Sequence, residues 1–152
     1  MASARILALG LLILSTSVSA ETLLGGKSSA LGKGAELLPV DQAFQLQGAT
    51  RRGQQIALDW SIAPGYYLYR HSLKVSVDAP ANAPFAGPEL PKGVAMNDAE
   101  FGNVETYRGA LQAKLTLPAG SPAPRTLRVK YQGCADIGVC YPPQTRLVAV
   151  KE

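Results

Sequence analysis

Gln54-Gln55-Ile56-Ala57-Leu58-Asp59-Trp60-Ser61-Ile62 puts Ile56, Leu58, Trp60 and Ile62 on one side of an extended chain and Ala57, Asp59 and Ser61 on the other. Successive side chains of a strand point to opposite faces, so this alternation describes a half-buried β-strand. Upstream, from about Asp41, Ala43-Phe44-Gln45-Leu46-Gln47 follows the same period. Downstream, Pro64-Gly65 makes a turn, and Tyr66 to Arg70 and Leu73 to Val77 favour sheet. Asp78 to Gly93 holds Pro80, Pro84, Pro88 and Pro91, which predicts a long surface connection, and Met96 to Val104 is expected to be a loop. Leu111, Ala113, Leu115 and Leu117 then share a face, and strands are expected at Thr126 to Tyr131 and Thr145 to Val150. No stretch has the period of an amphipathic helix. These short strands and Pro/Gly turns predict an all-β, immunoglobulin-like antiparallel β-sandwich with Trp60 in its core, a partly open barrel being the alternative.

The chain has 152 residues and begins with a positive residue, Arg5, an apolar run from Ile6 to Leu14, and small residues ending at Ala20. That is the pattern of a secretory signal peptide, expected over residues 1–20. No later stretch has the roughly 20 apolar residues of a membrane helix. Residues 21–38, rich in Gly, Ser and Ala, are expected to be a flexible lead-in, and residues 39–152 one domain. A formal charge of +4 comes from basic residues scattered among acidic ones, with Arg51-Arg52 the only adjacent basic pair and no basic run, so nucleic acid is not an expected partner.

The two cysteines, Cys134 and Cys140, lie between the last two expected strands, in a loop containing Gly138. Facing positions of an antiparallel pair are close enough for a disulfide, and export favours its persistence. As a staple it is poorly placed, because closing a loop of about seven residues contributes only about 2.4 kcal/mol in the chain-entropy model. A structural bond and a working redox pair both fit the spacing. His71 is the single histidine, distant in sequence from both cysteines, so no metal site is expected and the residue is read as solvent-facing or locally hydrogen-bonded. A Ser/His/Asp hydrolase set is equally unsupported.

Three linked motifs, Gly65-Tyr66-Tyr67-Leu68-Tyr69-Arg70, Glu105-Thr106-Tyr107-Arg108, and Tyr131-Gln132-Gly133-Cys134-Ala135-Asp136 through Cys140-Tyr141-Pro142-Pro143, resemble the N-terminal periplasmic domain of the thiol:disulfide interchange protein DsbD. The resemblance runs from about Val40 to the end of the chain. It implies an immunoglobulin-like domain in the periplasm that takes reducing equivalents from a thioredoxin-like donor domain. The acceptors it implies are periplasmic thioredoxin-fold proteins serving disulfide isomerisation and cytochrome c maturation. It implies no cofactor. The membrane and thioredoxin-like parts of that family lie outside the motifs matched here, so the sequence is expected to be either a fragment or a stand-alone module.

Residue by residue, the resemblance makes Cys134 and Cys140 the redox pair, Cys140 attacking the partner and Cys134 resolving the mixed disulfide. The family's Asp-Glu-Phe cap loop falls at Asp98-Ala99-Glu100-Phe101, with one additional residue between Asp and Phe. Phe101 is expected to supply the cap, whereas an ungapped alignment from Tyr107 puts Glu100 there. Asp98 and Glu100 are candidates for moving the thiol proton, and Tyr67, Tyr69 and Tyr107 for flanking the sulfurs. The rival reading is an exported protein-binding module whose disulfide is purely structural.

Overall fold

The computed structural model describes residues 36–79 and 87–152. The expected signal peptide and most of the expected lead-in lie outside the described residues. Leu38 is held by its backbone: its N–H donates to the Tyr66 hydroxyl, and its carbonyl accepts from the Tyr141 hydroxyl.

A single helical turn, α1 (Val40–Ala43), precedes β1 (Phe44–Arg52), so the alternation expected from Asp41 starts at Phe44. Pro39 explains the helical turn, since its carbonyl accepts the N–H groups of both Gln42 and Ala43. Next come β2 (Gln55–Ile62) and β3 (Tyr66–Tyr69). Arg70, read as strand, begins a 3-10 turn, Arg70–Ser72, which leads into β4 (Lys74–Ala79). Residues 80–86 of the proline-rich connection lie outside the described residues. At its far end Glu89 exchanges backbone hydrogen bonds of 2.7 and 3.0 Å with Lys114.

The segment expected to be a loop, Met96 to Val104, is instead the tip of a hairpin, β5 (Val94–Asp98) and β6 (Gly102–Tyr107). Asp98 pairs with Gly102, whose φ of 69° suits the left-handed position that commonly closes a three-residue hairpin loop. Then follow β7 (Ala110–Thr116), β8 (Thr126–Tyr131), β9 (Gly133–Ala135), β10 (Val139–Cys140) and β11 (Gln144–Lys151).

The strands form two sheets, one ordered β4-β8-β11-β1-β2-β7 and the other β10-β9-β3-β6-β5, packed as an immunoglobulin-like sandwich. Every strand pair is antiparallel except β1 with β11, which run parallel at Ala49–Val150 and Thr50–Lys151. Ile56, Leu58, Trp60 and Ile62 all point into the core, as their spacing predicts. Each such side chain contributes about 1.5–3 kcal/mol by leaving water. Leu111, Ala113, Leu115, Leu127, Val129 and Tyr131 join them.

The smaller sheet positions the cysteines. Its inner face sends Tyr66, Leu68, Ala135 and Tyr107 into the main core. The outer face carries a separate small cluster of Tyr67, Tyr69 and Cys134, with Met96 and Val104 packed against it. Gly133 permits this arrangement: a β-carbon there would meet the Tyr67 carbonyl and lie 2.6 Å from two atoms of the Phe44 ring.

Candidate functional site

Cys134 and Cys140 are direct partners across β9 and β10 and form a disulfide, their Cα atoms 4.0 Å apart. The turn between them places Gly138 at a φ of 83° and is tied down by the Asp136 N–H, which donates to the Gly65 carbonyl. After Cys140, Pro142 and Pro143 lack the N–H groups that a longer β10 would need. The two-residue strand therefore forms one edge of the smaller sheet. Cys134 is fully buried, while Cys140 is exposed on that edge.

Tyr69 sits beneath both sulfurs. Its hydroxyl oxygen is 3.3 Å from the Cys134 sulfur and 3.9 Å from that of Cys140. The disulfide carries no proton, so the hydroxyl's own proton goes to Asp98 Oδ2, 2.7 Å away. Burial first, and then this bond to Asp98, push the Tyr69 hydroxyl well above the ordinary tyrosine range. Asp98 Oδ1 accepts the N–H groups of Glu100 and Phe101, both at 2.9 Å. The Tyr69 bond and these two backbone bonds hold the Asp98 carboxyl below its usual value.

Those bonds also shape the hairpin tip that presents Phe101. The Phe101 ring packs edge-on against Tyr69 at 5.2 Å between centroids and lies 5.1 Å from His71, which is itself 5.1 Å from Tyr69. Three rings thus meet pairwise beside the disulfide. Glu100 contributes its backbone N–H to Asp98 and is exposed.

On the other side of Tyr69, Tyr67 makes an edge contact at 5.4 Å and pairs along the backbone with Cys134. Arg108 lies over the Tyr67 ring at 4.9 Å and grips Asp136, within the cysteine loop, through two bonds of 2.7 and 3.1 Å. Tyr107 is placed differently from its expected role. It pairs with Leu68, so its ring shares the inner face with Leu68, away from the sulfurs. Its hydroxyl accepts from Arg70 and donates to the Pro91 carbonyl.

The structure therefore brings together Cys134, Cys140, Tyr67, Tyr69, Asp98 and Phe101, with Glu100 at the margin. His71, Arg108 and Asp136 are additions that the sequence reading did not assign to the site. His71 is exposed, yet it belongs to the ring cluster. Arg108 and Asp136 already stood inside the two motifs quoted above, and their opposite charges were the available signal. Among the described residues, no three His, Cys, Asp or Glu side chains cluster as a metal site requires, and no helix is long and apolar enough to cross a membrane.

A family model described as "Thiol:disulfide interchange protein DsbD, N-terminal" matches residues 34–152. Thiol:disulfide interchange protein DsbD of Cronobacter sakazakii is 44% identical over 144 residues, covering 95% of this chain and 23% of that protein. The protein of the same name from Yersinia enterocolitica is 41% identical over 86% of this chain, and that of Escherichia coli strain K12 is 40% identical over 97%. The chain spans 22% of the Yersinia protein and 24% of the Escherichia coli protein. Among solved structures, the reduced DsbD N-terminal domain of Neisseria meningitidis aligns with a TM-score of 0.65 and 28% identity, covering 76% of this chain and 90% of that one. A complex between the DsbD N-terminal and PilB N-terminal domains of the same organism aligns with a TM-score of 0.65 and 29% identity, covering 75% and 87%.

Proposed function

The chain belongs to the family of N-terminal domains of the thiol:disulfide interchange protein DsbD, and from that premise we propose that it relays reducing equivalents by thiol-disulfide exchange through Cys134 and Cys140. The donor is a thioredoxin-like domain, and the acceptors are periplasmic thioredoxin-fold proteins that serve disulfide isomerisation and cytochrome c maturation. The solved complex of a relative's N-terminal domain with a PilB N-terminal domain supports a protein partner for this chain. The same reading places the chain in the periplasm, with a leader at 1–20, a lead-in at 21–38 and the exchanging domain at 39–152.

The observation that carries the reading is the asymmetry of the pair: one sulfur buried, the other on an exposed edge strand. In the reduced domain the Cys140 thiolate attacks one sulfur of the partner's disulfide. A mixed disulfide forms and the partner's other sulfur leaves as a thiolate. Cys134, deprotonated in turn, attacks Cys140 and releases the second partner thiolate. Two electrons pass to the partner, and the two protons lost by the domain balance the two gained by the partner's thiols.

Tyr69 supports this chemistry by its position. Its oxygen can accept the Cys134 proton while its own proton passes along the existing bond to Asp98. Asp98, held in its ionised form by three donors, returns that proton to water. Phe101 shields the pair by packing on Tyr69 until a partner displaces the hairpin tip. Glu100, with no side-chain tie to this route, is the weaker proton carrier.

The test is the equilibrium potential of the disulfide, titrated in thiol redox buffers with free thiols counted by alkylation. A value of about −180 to −270 mV lies among exchange-active proteins and supports the relay. A value below about −300 mV belongs to inert structural disulfides and would overturn it in favour of a binding module.

A further inference from the structure

Lys74 on β4 and Lys130 on β8 are direct cross-strand partners, and both are exposed. Like charges placed opposite one another in a sheet repel. Among the described residues the ion pairs all use arginines: Arg51, Arg70, Arg108, Arg128 and Arg146. Neither lysine has a carboxylate within ion-pair distance among those residues. On the next strand Thr145 continues the row as the cross-strand partner of Lys130.

This row borders the candidate site. Lys74, Lys130 and Thr145 line a groove of about 410 Å³ together with His71 and Phe101, two of the three rings beside the disulfide. Among the described residues no Asp or Glu lines it. Asp98 is engaged by Tyr69 and two backbone N–H groups, and Glu100 sits at the exposed hairpin tip. The groove thus joins two positive charges without a counter-charge to the ring that a partner must displace.

We propose that this groove receives an acidic segment of the acceptor protein, with Asp or Glu side chains flanking the acceptor's own disulfide. The inference rests on the relay reading and names the chemistry by which that site selects its partner. Lysine ammonium groups are compact, hydrated point charges that steer encounter more than they lock geometry. The selection therefore appears in the association rate and fades as salt shortens the reach of the charges.

The experiment uses the reduced protein and two disulfide-bridged peptides of equal length, one flanked by glutamates and the other by glutamines. At low ionic strength the glutamate peptide is reduced about fivefold faster, and the advantage disappears at high ionic strength. In the Lys74→Gln, Lys130→Gln double variant the advantage is absent at both, while the glutamine peptide reacts at the parent rate. The thermal midpoint of that variant is not lowered, because the substitutions remove a repulsion. Equal rates for the two peptides in the parent, or an advantage that survives in the double variant, would overturn the proposal. Failure of both peptides to be reduced would overturn the relay reading, and this inference with it.

Discussion

The Cys134 side chain is sealed within the small outer cluster, whereas Cys140, its cross-strand partner, stands exposed at the edge of the sheet. An incoming disulfide can reach the second sulfur without disturbing the first. A Cys134→Ser variant is therefore expected to accumulate a mixed disulfide with a partner, and Cys140→Ser to accumulate none. Non-reducing electrophoresis after mixing with an oxidised thioredoxin-fold protein reads the result. The opposite pattern would exchange the two roles.

Phe101 reaches the sulfurs' environment through Tyr69, with which it makes one of its two ring contacts among the described residues. Removing its ring in Phe101→Ala is expected to raise the alkylation rate of the reduced cysteines roughly fivefold, equivalent to one aromatic contact of about 1 kcal/mol. Glu100→Ala is expected to leave the rate near that of the parent. Acceleration in the glutamate variant alone would move the shield to Glu100.

Tyr69 is the hydroxyl nearest both sulfurs. Tyr69→Phe keeps the ring and its packing but breaks the path to Asp98. Exchange with a small disulfide is expected to slow about a hundredfold, at the low end for a positioned proton-transfer group, with about 1 kcal/mol of stability lost. An unchanged rate measured by stopped-flow would reduce the hydroxyl to a packing role.

Asp98 couples the site to pH. Its folded carboxyl lies below the ordinary value of 3.8, chiefly because Tyr69 donates to its charged form. In acid the unfolded chain consequently binds this proton first, and stability rises with pH through that interval. The contribution is fully present above the ordinary value and is lost as pH falls through the depressed one. Asp98→Asn should flatten the acid limb of a denaturation series measured by circular dichroism; an unaltered slope would show that other carboxylates dominate it.

Gly133 is fixed by close packing between Tyr67 and Phe44. Gly133→Ala forces β9 away from β3 or the Phe44 ring out of its place, and is expected to cost about 3 kcal/mol in urea denaturation. Loss of under about 0.5 kcal/mol would mean that the sheet relaxes freely at this point.

The larger sheet was legible because its strands have one dry and one wet face: Ile56, Leu58, Trp60 and Ile62 announce themselves by alternation. The β5–β6 hairpin was not, since both faces of β5 are partly exposed and its Asn97 and Asp98 favour turns. The parallel β1–β11 pair has no local signature at all, because register between distant strands is not written in either one. In the site, the spacing made a bond between the two cysteines reasonable, while their redox role and the flanking aromatics rest on the family resemblance. Tyr107 and Tyr69 look alike in sequence, yet strand parity sends one ring inward and the other toward the sulfurs. His71 joins Tyr69 through the 3-10 turn and Phe101 from a separate hairpin, a meeting that sequence distance conceals.

The Cys134–Cys140 link spans six positions at the border of the smaller sheet. Opening it releases almost no chain, and the sandwich's main core includes neither sulfur. On the proposed relay, the reduced and oxidised forms should therefore present nearly the same silhouette to a passing protein. What distinguishes them is confined to the hairpin tip and the sulfurs beneath it, so a productive encounter would have to read the redox state at the same few ångströms where the electrons are exchanged.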